Sequence, residues 1–257
     1  MSVMPTDKWL EKDFLKPLII LEKIGVPENE RKEFYRYLQS YGMYRPHANI
    51  EEQNNKLKKK KAWNTVRRFY KKYKGLWKGP SVPIYIFPIQ GKASLFGHGM
   101  KKSGVSFKDQ VYLFLSADTD EKEWEALFVH EYHHATRMNL LNKNNDQYHL
   151  LDAIIFEGLA EQAVKEYCGE KYVSNWAKRY SQHQLATFWE KYIKNQISIT
   201  RSESKHDQLL LGKGMYPSLL GYAVGYHLIE LYKEENKGDT MKWLAKSSSE
   251  FLPSQYS

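Results

Sequence analysis

Residues 128–137 read FVHEYHHATR, and within them His130, Glu131 and His134 form an H-E-x-x-H pattern. On a helix, two histidines at i and i+4 stand on one face, where a single tetrahedral Zn²⁺ can bind a nitrogen of each. The carboxylate next to the first histidine is placed to take a proton from water beside such an ion. The neighbours turn this face inward. Trp124, Leu127, Phe128, Ala135 and Met138 mark a buried stripe. At about 100° per residue, Glu131 falls in line with Trp124 and Ala135, while His130 and His134 fall in line with Leu127 and Met138. Burying unpartnered carboxylate and imidazole groups costs several kcal/mol, and a metal is the simplest way to satisfy them. His133, at +3 from His130, could reach the metal in another rotamer but is expected to be merely packed or exposed.

A second acidic pair strengthens this reading. Residues 150–168, LLDAIIFEGLAEQAVKEYC, have the spacing of a helix on which Glu157 and Glu161 share the face of Leu150, Ile154 and Val164. Two carboxylates at i and i+4 repel, and far more so on a buried face, so a nearby cation is called for, either a metal or an Arg or Lys side chain. Gly158 lacks a side chain where two helices can approach closely, which suits a metal shared between the helix bearing HEYHH and this one.

On these motifs the chain resembles the gluzincin metallopeptidases, in which a Glu on a later helix is the third zinc ligand. HEYHH and EGLAE occupy the corresponding positions. The resemblance is closer to the YjaZ-like predicted zinc-dependent proteases of bacteria. IFP (Ile86, Phe87, Pro88), GVSFKDQVYLFLS, HEYHH, EGLAE and GYAVGY follow in that order over about residues 80–250. It implies one Zn²⁺ per chain held by His130, His134 and Glu157, with Glu131 as general base and Glu161 as partner of a ligand imidazole. It also implies that Gly104, Val105, Ser106 and Phe107 lie on a sheet edge that pairs with extended substrate, and that a later Tyr or His stabilises the oxyanion. For that donor Tyr222 ranks first, with Tyr226, His227 and Tyr216 behind it. Cys168 as third ligand, as in deformylase-like sites, ranks lower, because a Cys at a helix end before Gly169 reads as a small buried residue near a C-cap.

Other elements must carry these groups. Residues 8–24 and 28–41 have helical spacing, with Pro17 a kink in the first. In the segment 56–78, Trp63, Val66, Tyr70, Tyr73 and Trp77 recur at three and four with Arg67, Arg68, Lys71 and Lys72 between, an amphipathic helix with a cationic outer face. After Gly79 and Pro80, residues 82–87 and 111–115 are short β-rich runs separated by a glycine-rich stretch with Gly91, Gly97, Gly99 and Gly104. Residues 103–116 form a strand or hairpin, and helical patterns return from Asp120, including 172–192 and 217–233. In the last of these, Gly221 and Gly225 allow close helix contact. The fold class is α+β and zincin-like: a small mixed sheet with an antiparallel edge strand, a mainly helical C-terminal half and an N-terminal helical portion. A helical region over 1–79 and a metallopeptidase domain over 80–257 are expected.

Composition narrows the function classes. With 257 residues, 42% hydrophobic and 14% aromatic, the chain has ample core and is not disordered. No apolar run nears the roughly 18 residues of a membrane-spanning helix. The first residues lack the pattern of a secretory signal, and a single cysteine excludes an intrachain disulfide, so a cytoplasmic location is expected. The net charge of +9 is concentrated in 53–108, which holds 15 Lys or Arg and no Asp or Glu, leaving −6 elsewhere. Such a face reads first as solvated lysine and arginine stems covering core edges. The leading function is hydrolysis of peptide bonds in a peptide or protein substrate, of acidic character if the basic face takes part. Two rivals stand beside it: a non-proteolytic zinc amidase or deformylase-like hydrolase, and a protein binding nucleic acid or an anionic membrane surface through 56–78 with a structural metal.

Overall fold

The computed structural model describes residues 3–90 and 102–253, and the chain divides into two compact units, Met1–Ala135 and Thr136–Ser257. The break expected between residues 79 and 80 falls inside the first of these. Gly91, Gly97 and Gly99 of the glycine-rich stretch lie outside the described residues.

The first unit opens with α1 (Thr6–Asp13), α2 (Pro17–Ile24), α3 (Arg31–Ser40), α4 (Ala48–Lys59) and α5 (Ala62–Trp77). The expected helix over 8–24 is broken in two. Pro17 does not kink a helix over 8–24 but begins a new one, since proline fits the first helical turn and disfavours helix in the residue before it. Lys61, whose φ of 56° is left-handed, separates α4 from α5, so the amphipathic helix begins after the lysine run. The stripe on α5 is as expected: Trp63, Val66, Tyr70, Tyr73 and Trp77 are all buried.

Three strands follow, β1 (Ile84–Pro88), β2 (Lys102–Ser106) and β3 (Val111–Leu115), in the order β1-β3-β2, with β1 parallel to β3 and β2 antiparallel to it. The first strand starts two residues later than expected, just past Pro83, which has no N–H to offer a ladder. IYIFP and VYLFL are buried at every position, which explains why they are apolar throughout and do not alternate. Near the N-terminus Thr6 is a fixed point. Its hydroxyl donates to the Ile86 carbonyl at 2.6 Å and accepts the Trp63 indole N–H at 2.8 Å, tying α1, α5 and β1 together.

Beyond β3 comes α6 (Glu121–Leu141). Asp120 starts it as an N-cap, its side chain accepting the Glu123 N–H at 2.7 Å. Glu125 joins α6 to α5. One carboxylate oxygen accepts from Lys72 and from the Tyr73 hydroxyl, and the other from Lys122, each at 2.7 Å.

In the second unit, α7 (Leu150–Cys168) lies against α10 (Leu220–Glu235), with α8 (Gln182–Phe188), α9 (Ser204–Leu211) and α11 (Thr240–Trp243) completing it. The pattern over 172–192 is not one helix. Turns of 3₁₀ helix occupy its start, and Ser181 with Gln184 then forms a capping box that begins α8 afresh. Leu150, Ile154, Ile155, Leu220, Val224 and Ile229 pack in the core between α7 and α10. Close contact there depends on glycine: a Cβ at Gly158 would stand 2.2 Å from the Gly225 carbonyl oxygen, and one at Gly225 would stand 2.1 Å from that of Ile154. Gly158 therefore admits α10. Gly221 faces Leu210 of α9 in the same way. Arg137, fully buried on the last part of α6, donates to the Leu244 carbonyl at 2.8 Å and stands over the Phe156 and Phe251 rings.

Burial raises the Glu125 carboxyl pKa, but hydrogen bonds from Lys122, Lys72 and Tyr73 outweigh this and hold it at about 2, below its ordinary 4.5. A depressed carboxyl stabilises the fold above its unfolded pKa and loses that contribution as pH falls through the folded value. Glu125→Ala should therefore cost about 1.5–3 kcal/mol at pH 7, the range for hydrogen bonds to charged groups. In denaturant titrations its deficit against the parent should shrink as pH falls from 4.5 towards 2.

Candidate metal centre

Helix α6 presents the H-E-x-x-H residues on consecutive turns. The Nε2 atoms of His130 and His134 are 3.1 Å apart, and their rings meet edge to face. Two nitrogens about 2.0–2.1 Å from one tetrahedral zinc are separated by about 3.3 Å, so the pair fits a shared ion. On α7, Glu157 is half-buried. His130, His134 and Glu157 each offer one ligand atom, and the three atoms lie within 4.8 Å of one another. Two imidazoles and a carboxylate are a donor set typical of catalytic zinc, leaving a coordination position open. Among the described residues Cys168 does not join the group. It is buried at the C-terminus of α7, followed by Gly169 with φ of 101°, as its position before a helix cap suggested.

Glu131, one residue on from His130, reaches β2. It is 6% exposed. The Ser106 hydroxyl lies 2.6 Å from its Oε2 and 2.8 Å from its backbone carbonyl oxygen. Gly104 leaves the space the carboxylate fills: a Cβ there would stand 2.6 Å from Glu131 Cγ and 2.7 Å from Oε1. His133 is wholly buried, its ring edge-on to Trp77 of α5 at 5.6 Å, the packed histidine expected.

Among the described residues, the strand expected to meet substrate stands at the sheet edge, β2 pairing with β3. Phe107 departs from it. Its N–H donates to the Gln110 carbonyl at 2.8 Å, closing the turn between β2 and β3, so Gly104, Val105 and Ser106 are the strand residues of that segment.

On α7, Glu161 is 1% exposed and its carboxylate accepts the Ser174 N–H at the start of the turn carrying Trp176. Trp176 meets the Tyr222 ring edge-on at 5.3 Å. Tyr226 packs with Val173 and Ala177, and burial pushes its hydroxyl up to about 12. His227 is buried and held below its ordinary value by that burial. Tyr216 lies outside α10, against Tyr192. Tyr222 and Tyr226 thus share the face of α10 turned to residues 173–177.

Much of the cationic face is neutralised from within. Arg68 pairs with Glu121, Lys72 with Glu125, Lys58 with Glu11 and Lys56 with Glu52. Among the described residues no helix is long and apolar enough to cross a membrane.

Residues 62–253 match the family described as "Predicted Zn-dependent protease (DUF2268)". A protein of Bacillus subtilis (strain 168) described as "Uncharacterized protein YjaZ" is 36% identical over 260 residues, 98% of each chain. A second from the same organism, "Uncharacterized protein YjfC", is 24% identical over 121 residues, 43% of this chain and 40% of its own. No solved structure matches. The likeness to the first relative takes in the N-terminal helices, which the motifs alone did not reach.

The donor set predicts a metal that depends on particular side chains. Elemental analysis of the purified parent should find one zinc per chain. His134→Ala and Glu157→Ala should each lose it, whereas Cys168→Ser should retain it; zinc loss in Cys168→Ser alone would reassign the third ligand.

Proposed function

The chain belongs to the predicted Zn-dependent protease family, and on that premise we propose that it is a metallopeptidase that hydrolyses peptide bonds, with Glu131 as general base. The observation that carries this is the convergence of His130, His134 and Glu157 to within 4.8 Å, with the Glu131 carboxylate one residue from a ligand. When bound, zinc supplies Lewis acidity, polarising the scissile carbonyl and making water a nucleophile near neutral pH.

The chain's own groups do the rest. The Glu131 carboxylate accepts the proton of the attacking water and passes it to the leaving amine. Its burial keeps competing water from solvating it, which strengthens its interaction with the reacting groups. Backbone groups of Gly104, Val105 and Ser106 on the edge strand β2 pair with an extended peptide and hold its carbonyl in place. The Tyr222 hydroxyl donates to the carbonyl oxygen as negative charge builds there. Glu161 acts on a ligand imidazole, fixing its tautomer and orientation.

A small amide is the alternative substrate for the same chemistry; an edge strand beside the base favours an extended peptide over it. Binding of nucleic acid or an anionic surface is less favoured, because Arg68 and Lys72 are committed to Glu121 and Glu125.

Glu131→Gln should abolish cleavage of quenched fluorescent peptides by about 10²- to 10⁴-fold while keeping zinc, since Gln preserves volume but cannot take the proton. Wild-type rates in Glu131→Gln, or turnover of acylated small amides with none of peptides, would overturn the reading. Tyr222→Phe should lower kcat by about 10²- to 10³-fold with zinc content unchanged, the loss expected for one oxyanion donor. An unchanged kcat would move that role to Tyr226 or His227.

A further inference from the structure

Along β2, side chains alternate between two faces, and Lys102, Gly104 and Ser106 share one. All three meet α6. Lys102 Nζ pairs with Glu123 Oε2 at 2.5 Å, Gly104 lies against the Glu131 side chain, and Ser106 reaches both the Glu131 carboxylate and its carbonyl. Glu123 and Glu131 are eight residues apart on the helix, a rise of about 12 Å. Lys102 and Ser106 are four apart on the strand, a rise of about 13 Å. Strand and helix therefore run side by side in step, pinned at both ends, and the Glu131 carboxylate sits at the downstream pin.

We propose that Ser106 is a positioning residue for Glu131: its hydroxyl, with the bare backbone of Gly104, fixes the plane of the carboxylate that the proposed reaction uses as base. The inference rests on that reaction and extends it. The terminal torsion of a glutamate is soft and roughly two-fold, so burial alone does not choose which oxygen faces which way. Ser106 chooses. A contact of 2.6 Å between a hydroxyl and a carboxylate oxygen is the length of a charge-assisted hydrogen bond, and the serine has one proton, which goes to Oε2. Gly104 backs Oε1 and Cγ closely enough that no side chain could stand in its place. Because Ser106 holds the base and touches no reacting atom, its loss should act on the rate of the chemical step and spare binding. A misaligned base costs up to about 10²-fold without any change in the residue that carries the proton.

The experiment compares Ser106→Ala, Ser106→Thr and Glu131→Gln in the full-length zinc protein, with quenched fluorescent peptides as substrate. Ser106→Ala should lower kcat by about 10- to 100-fold, leave KM within about two-fold and retain one zinc per chain. Ser106→Thr keeps the hydroxyl on the same carbon and should restore kcat to within a few-fold of the parent. A readout independent of turnover is the unfolding midpoint of the zinc-free protein. There Ser106→Ala should lower the midpoint more when Glu131 is present than in a Glu131→Ala background. An inactive Glu131→Gln with a fully active Ser106→Ala would overturn the role of Ser106 and leave the peptidase reading standing. Equal midpoint shifts in the two backgrounds, or failure of threonine to rescue, would also overturn it. An active Glu131→Gln would instead overturn the peptidase reading itself.

Discussion

Helix α6 has to bury charge, and much of the structure around it exists to make that tolerable. Glu125, Glu131, His133 and Arg137 are all nearly or wholly removed from water on this one helix, where each unpartnered charge would cost several kcal/mol. Each is met differently. Glu125 is surrounded by donors from α5 and from its own helix, Glu131 is seated on the edge strand, and His133 is packed against Trp77. In the second unit, Arg137 donates to the Leu244 carbonyl and stands over two aromatic faces. An apolar helix would be simpler to bury. It could hold neither a metal nor a base.

The same accounting explains the basic segment. A stretch with fifteen cations and no acid looks like a surface made for a polyanion. Folding supplies part of the missing acid from elsewhere in the chain: Glu121 and Glu125 come from α6 and Glu11 from α1. The charge asymmetry along the sequence is in good part a division of labour between helices that pack together in one unit.

Periodicity made the buried stripe of α5, the mixed sheet and the spacing of His130 and His134 legible, because each depends on residues close in sequence. What failed were boundaries set by single residues: Pro17 beginning a helix and Ser181 capping α8. Partner choice failed too. Gly158 announced a close approach without saying to what, and its neighbour is Gly225, sixty-seven positions on. The contact of Ser106 with Glu131 was hidden for the same reason, although a glycine and a serine two apart on an edge strand are a visible sign that one face of it has been kept clear. The pairing of His130 and His134 with Glu157 was legible through family resemblance rather than periodicity.

Glycine is also where the chain is least forgiving in evolution. Any missense change in a glycine codon adds at least a Cβ, so a position without room for one has no conservative neighbour in the genetic code. Gly75, on an open part of α5, has nothing within 4 Å of that Cβ and can drift with little steric penalty. At Gly104 the first added atom lands on Glu131, and at Gly158 and Gly225 it lands on the backbone of the facing helix. Such codons can wander only through synonymous changes. In a population of variants they should read as fixed points whose immobility has nothing to do with touching a substrate.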